Sequence, residues 1–275
     1  PGGATETEYS QQLAEELEQR IIAEGPDTVA AFIAEPVMGA GGVIPPPDGY
    51  FDAIVPVLKK YDILFIADEV ICGFGRLGYM YGSEALDIEP DMITVAKGVT
   101  SAYFPLSGVM VSEKVWRTLV DGEKTFWPFG HGYTYTAHPV GAATALANLD
   151  IIDNEGLVGA AAKQGEHLHK RLNEAFADHP LVAEVRGFGL IGAIELVARN
   201  DPPEAFDPAL KVAIRAAKHA LDVGIITRAL PAADTLALSP PLTITPAEID
   251  TLVDGLREGV DRVFAELRDS GDWSA

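Results

Sequence analysis

Glu35, Asp68 and Lys97 each follow a short apolar run: Val29-Ala-Ala-Phe-Ile-Ala34, Ile63-Leu-Phe-Ile-Ala67 and Met92-Ile-Thr-Val-Ala96. Unbroken runs of that length are the pattern of strands buried in a parallel sheet, and α/β proteins place their chemistry at the C-terminal ends of such strands. If the three strands are neighbours, three ionisable side chains meet on one sheet edge. A lysine after an apolar strand is ordinarily a surface residue. Lys97, however, lies between Ala96 and Gly98 and leads into a loop. Partly shielded from water, such an amine has its charged form destabilised and becomes a nucleophile that forms a Schiff base with an aldehyde. Asp68 is its natural partner, or else simply the cap of the next helix.

The elements that must position these residues follow from periodicity. Leu13, Leu17, Ile21 and Ile22 at helical spacing predict an amphipathic helix over 7–24. A Gly- and Pro-rich loop runs from Gly39 to Pro47, then a helix from Tyr50 to Tyr61. Leu106 to Val111 is a fourth strand, followed by a helix from Glu113. The rhythm of strand and helix predicts an α/β chain, a parallel-rich sheet with helices on both faces. After Pro139 an alanine-rich helix reaches about Asn154, and a second runs from Gly156 to about Ala177. Leu181 to Arg186 and Leu190 to Leu196 then read as antiparallel strands. A helix (207–223), strands near 224–228 and 235–239, and a closing helix (246–268) complete the chain. The pattern implies a large domain over 1–154 and a smaller α+β domain over 155–275.

The 275 residues carry 20 basic against 41 acidic side chains, a formal charge of −21. That surface repels nucleic acid and anionic membrane and favours solubility. No apolar stretch approaches the roughly 18–20 residues of a membrane span. Cys72 is the single cysteine, so no internal disulfide forms and a reducing cytoplasm is expected. The opening Pro-Gly-Gly-Ala-Thr-Glu has neither a basic start nor an apolar segment behind it, so no signal peptide is expected. The missing initiator Met raises the expectation that sequence upstream has been lost.

Four motifs occur in order: Ala34-Glu-Pro-Val-Met-Gly-Ala-Gly-Gly-Val43, Ile66-Ala-Asp-Glu-Val-Ile-Cys-Gly-Phe-Gly-Arg76, Ala96-Lys-Gly98 and His131-Gly-Tyr-Thr-Tyr-Thr-Ala-His-Pro139. Together they resemble the class III aminotransferases of fold type I, pyridoxal-phosphate enzymes, and among them the omega-amino-acid–pyruvate transaminases. The resemblance implies that Lys97 is the lysine bonded to the cofactor and the carrier of the transferred proton. It implies that Asp68 pairs with the protonated pyridine nitrogen and keeps the ring an electron sink, with Val70 under the ring. Thr134 matches a threonine that reaches the cofactor phosphate of the other subunit in a homodimer, helped by the backbone around Tyr133. Arg76 matches a structural arginine, and Glu35 a support of the hydrogen-bond network near the cofactor. Arg228, at the end of Gly224-Ile-Ile-Thr-Arg228, is by itself an exposed loop arginine. The resemblance makes it the planar fork that binds the substrate carboxylate and swings aside for amines lacking one.

Two departures narrow the expectation. Relatives that use glutamate often carry Glu where Ala40 stands, and Gln in contact with the cofactor hydroxyl where Ile71 stands. Both changes resemble the branch that uses pyruvate, so a primary amine or omega-amino acid is the expected donor and pyruvate the acceptor. Members of this family are longer at the N-terminal side, where they hold an aromatic stacked on the cofactor and a turn that cradles its phosphate. Residues 1–24 read as one ordinary helix and do not replace that part. A second reading is therefore a truncated, catalytically weak or inactive aminotransferase fragment that acts only with a partner chain. A third keeps the scaffold but makes the reaction a decarboxylation or aminomutation.

Overall fold

The structure is a computed structural model and describes residues 4–200, 202–230 and 233–273. The chain divides into two compact units. The first holds residues 1–36, 46–74 and 80–155, and the second 37–45, 75–79 and 156–275. Two short excursions from the first half of the sequence thus belong with the second unit.

The first unit contains α1 (Glu6–Glu24), β1 (Ala31–Ala34), α2 (Tyr50–Lys60), β2 (Leu64–Asp68), α3 (Gly82–Ala85), β3 (Met92–Val95), β4 (Gly108–Val111), α4 (Glu113–Gly122) and α5 (Pro139–Asn154). Helix α1 starts where the sequence says it should, because Thr5 and Glu8 form a reciprocal capping box. The sheet order is β1-β2-β3-β4. The first three strands are parallel and β4 runs antiparallel to β3. Ala14, Ile21, Phe51, Ile54 and Leu58 from α1 and α2 pack with Phe65, Phe32 and Ala34, sealing one sheet face. The opposite face differs from the expectation of helices on both sides. Ile33 there is 57% exposed, and Leu64, Ile66 and Met92 are half-buried. β1 is accordingly not the fully buried strand its composition suggests. It is the terminal strand of this sheet, and only its Phe32 and Ala34 meet the helices.

The second unit contains α6 (Leu157–Phe176), β5 (Val182–Phe188), β6 (Ile191–Leu196), β7 (Arg199–Asn200), β8 (Pro203–Glu204), α7 (Val212–Asp222), β9 (Arg228–Leu230), β10 (Thr235–Leu238) and α8 (Pro246–Ser270). Its main sheet has order β5-β6-β10-β9 and is antiparallel throughout. Leu168, Leu172 and Phe176 of α6 and Ile249, Val253, Leu256, Val260 and Val263 of α8 pack with Leu190, Ile194 and Leu236 in one core. Truncating a fully buried side chain such as Phe176 to Ala removes about 3–5 kcal/mol. Helix α8 is fixed by a Thr245–Glu248 capping box with Pro246 at its first position, and it ends on left-handed Gly271. Gly189 permits the β5–β6 turn. Its φ is +55°, and a Cβ there would stand 2.4 Å from the Leu77 carbonyl carbon.

Candidate active site

Because β1, β2 and β3 are parallel neighbours, their C-terminal ends share one sheet edge, and Glu35, Asp68 and Lys97 all lie along it. Asp68 is the last residue of β2 and stands opposite Thr94 of β3 in the register. The Thr94 hydroxyl and the Val70 amide each donate to Asp68 Oδ1 at 3.1 Å. Oδ2 receives no hydrogen bond from the described residues. The Asp68 carboxylate therefore has a fixed plane and one open acceptor. It does not cap a helix: the chain beyond it is a run of turns as far as α3.

Lys97 opens a single 3₁₀ turn, Lys97–Val99, immediately after β3. Its φ is +42°, a left-handed backbone that a non-glycine residue adopts under strain, and such strain concentrates at functional positions. The turn is held from two directions. Asn148 on α5 donates through Nδ2 to Gly98 O at 2.8 Å and to Val99 O at 3.2 Å. Gly98 lies against Phe74, where a Cβ would come within 3.0 Å of the Phe74 Cβ, so the loops after β2 and β3 touch. The Lys97 side chain itself is exposed. The partial shielding expected from the sequence is not found among the described residues.

Glu69 is a participant the sequence reading passed over. Fully buried, it accepts from the Gly82 amide at 2.8 Å, the Ser83 amide at 2.6 Å and the Ser83 hydroxyl at 2.7 Å. Its own amide donates to Thr94 O at 3.0 Å. A carboxylate between Asp68 and a turn was the available signal, since strand alternation sends adjacent acids to opposite faces. Val70 and Ile71 are half-buried in the turn beyond β2, where strand alternation no longer decides which way they point. Glu35 is half-buried directly after β1.

Tyr133 and Thr134 occupy the long connection between α4 and α5, and both are exposed. The Tyr133 amide donates to Thr136 Oγ1 at 2.8 Å, and the Thr136 amide returns to Tyr133 O at 2.9 Å. Among the described residues no hydrogen bond links this turn to Asp68 or Lys97. In the second unit Arg228 is exposed and begins β9, paired with Ala237, rather than ending a strand over 224–228. The Thr227 hydroxyl donates to Ala237 O at 3.0 Å, and ladder pairing begins at Arg228, two residues past the apolar Ile225-Ile226. Arg76 donates to Leu190 O at 2.9 Å and Pro240 O at 2.6 Å, and burial pulls its guanidinium down to about 10. It remains charged at neutral pH and ties carbonyls together, as a structural arginine does. Among the described residues no group of three or more His, Cys, Asp or Glu side chains has metal-holding geometry.

Residues 3–260 match the family model described as aminotransferase class-III. The chain is 51% identical over 269 residues to a diaminobutyrate–2-oxoglutarate transaminase of Halomonas elongata, covering 98% of this chain and 57% of that protein. It is 44% identical to a putrescine–pyruvate aminotransferase of Pseudomonas aeruginosa, covering 97% of this chain and 57% of the relative. Among solved structures, the omega transaminase of Pseudomonas jessenii in complex with PMP superimposes with a TM-score of 0.92 at 43% identity, over 96% of this chain and 58% of that one. A transaminase from directed evolution by ancestral reconstruction gives a TM-score of 0.95 at 57% identity, over 97% of this chain and 58% of its own length. The chain therefore spans less than two thirds of these relatives. The chain belongs to the class III aminotransferases, a pyridoxal-phosphate-dependent family of fold type I.

Proposed function

We propose that the protein carrying this chain moves an amino group from a primary amine or omega-amino acid to pyruvate or a related 2-oxo acid, with pyridoxal 5'-phosphate as cofactor. The observation that carries this reading is the placement of Asp68 and Lys97 at the ends of adjacent parallel strands, with Asp68 Oδ2 open. These residues fit the cofactor: the open oxygen suits a ring N–H, and the Lys97 amine is the covalent anchor for its aldehyde carbon. When bound, the group supplies an electron sink for the pair left behind when the donor's α-carbon loses its proton. Asp68 keeps a negative charge opposite the ring nitrogen. Lys97 Nζ would take the proton from the donor's α-carbon and return it to the cofactor's C4′ carbon, on the far side of the nitrogen.

Val70 and Ile71 border the ring, and Glu35 supports the polar network beside it. Tyr133 and Thr134 hold the phosphate across the interface of a homodimer, a role that suits their exposure in the single chain. Arg228 binds the substrate carboxylate, and its exposure at the start of β9 leaves the guanidinium free to move. A cytoplasmic location belongs to the same reading. Ala40 and Ile71 favour pyruvate as acceptor, as does the likeness to a putrescine–pyruvate aminotransferase. The 51% identity to a diaminobutyrate–2-oxoglutarate transaminase supports a second reading in which 2-oxoglutarate accepts the amine.

The test is covalent labelling. Borohydride reduction of the cofactor-loaded protein followed by peptide mapping should place the label on Lys97, and Lys97→Ala should take none. The long-wavelength visible band should bleach with an amine donor and return with pyruvate. Recovery with 2-oxoglutarate alone would move the acceptor to the second reading, and a label on any other lysine would overturn the assignment of Lys97.

A further inference from the structure

We infer that Thr94 is a positioning residue for the cofactor's ring nitrogen, acting through Asp68: its hydroxyl occupies Oδ1 and so reserves Oδ2 for the ring. The inference rests on the pyridoxal-phosphate reading above. Asp68 and Thr94 are directly paired across the β2–β3 ladder, and strand alternation puts both side chains on the same sheet face. The Thr94 hydroxyl and the Val70 amide both donate at 3.1 Å, and both to Oδ1. An ionised carboxylate only accepts, so the direction of the Thr94 bond is set. The Glu69 amide donates to Thr94 O at 3.0 Å, which fixes the backbone of Thr94 against the same turn. A β-branched side chain is stiff at χ1, so the hydroxyl has few alternative positions. Valine has nearly the same shape and the same strand preference but no donor.

Loss of the hydroxyl acts in one direction. With one donor fewer on Oδ1, the plane of the Asp68 carboxylate is free to turn and Oδ2 is no longer held toward the ring. The contact to the ring nitrogen weakens, and with it the electron sink. The residue need not touch cofactor or substrate to do this.

The experiment is ¹⁵N NMR of the whole protein loaded with pyridoxal phosphate labelled at the ring nitrogen, for wild type, Thr94→Val, Thr94→Ala and Thr94→Ser. Both variants without the hydroxyl should move the ring resonance toward that of neutral pyridine. They should also raise the cofactor dissociation constant by roughly tenfold, the size of one lost hydrogen bond to a charged group. Thr94→Ser should restore both. A role confined to strand stability would lower the melting temperature and leave the resonance in place. A wild type that takes up labelled cofactor, with an unchanged resonance in Thr94→Val and Thr94→Ala, overturns the inference alone. A wild type that takes up none overturns the transaminase reading and this inference together.

Discussion

Asn148 Nδ2 lies 2.8 Å from Gly98 O, so a side chain in the middle of α5 holds the turn that Lys97 opens. The same side chain accepts from the Ser101 hydroxyl at 2.7 Å, which makes it a clamp across the segment 98–101. Left-handed Lys97 and Ala102 flank that clamp and left-handed Ser101 lies within it, so the strain is distributed around one amide. Asn148→Ala removes the clamp without filling the space. The expected result is a loss of roughly 1–3 kcal/mol in urea denaturation and slower covalent capture of cofactor by Lys97. Asn148→Asp keeps the acceptor for Ser101 but sets a charge against two carbonyls, and should be the more damaging of the two.

Glu69 makes a second prediction because its surroundings are all donors. In Glu69→Gln the new amide nitrogen faces either the Gly82 amide or the Ser83 donors, whichever way it is turned. One buried pair is then donor against donor, and stability should fall by about 1–3 kcal/mol. Chemical denaturation reads the loss. The damage should spread to Asp68, since the Glu69 amide also joins the turn to β3. Cofactor affinity should therefore drop together with the denaturation midpoint.

His179 should make stability depend on pH. Its side chain is buried, Nδ1 accepts from the Leu181 amide at 3.1 Å, and Nε2 lies 3.1 Å from Asp261 Oδ1. Burial first, and then the nearby Arg257 charge, push its pKa below the ordinary histidine value, outweighing the pull of Asp261. Protonation would also break the bond from Leu181. The unfolded chain therefore binds the proton more readily than the folded one. Stability is full above the ordinary value near about 6.5 and declines as pH falls from there toward the lower folded value. Melting temperatures from pH 8 down to 5 should fall on the acid side, and His179→Gln should flatten part of that slope. His169, also pushed below its ordinary value by burial, supplies the slope that remains.

Gly189 offers the sharpest steric prediction. In Gly189→Ala the new methyl would stand 2.4 Å from the Leu77 carbonyl carbon and 2.5 Å from its Cα, and backbone cannot step aside as a flexible side chain does. With a φ of +55° adding strain, a loss of about 3 kcal/mol or more is expected, read as a lower denaturation midpoint.

The elements that carry Asp68 and Lys97 were readable because each is an unbroken apolar run stopped by one charged residue. The observed β2 and β3 differ from the predicted runs by a single residue at their ends. The family was readable for a different reason, four motifs in fixed order. What escaped is what depends on distant parts of the chain. The partners of Asn148 lie 50 and 49 residues away, and no local pattern announces them. Glu69 drew no reading beside Asp68, because its partners are donors 13 and 14 residues further on. The start of β9 at Arg228 was missed because Gly224-Ile-Ile has strand composition while pairing with β10 begins only opposite Ala237. The two β1 residues on the open face read as core, because composition reports how apolar a strand is and not how many neighbours it has.

Strand β4 has a consequence for handling the isolated chain. It is the last strand of its sheet, and among the described residues nothing pairs with its outer edge. Its sequence, Gly108-Val-Met-Val111, has no charge and no proline, and all four residues are exposed. A bare edge of that kind is a template for intermolecular strand addition. The charge of −21 acts against it, since two such chains repel before their edges align. Salt screens that repulsion over about 8–10 Å at moderate ionic strength. The isolated chain should therefore stay dispersed in dilute buffer and clump as salt is raised, the reverse of what salting-in would give, and a single lysine at Met110 should keep it in solution.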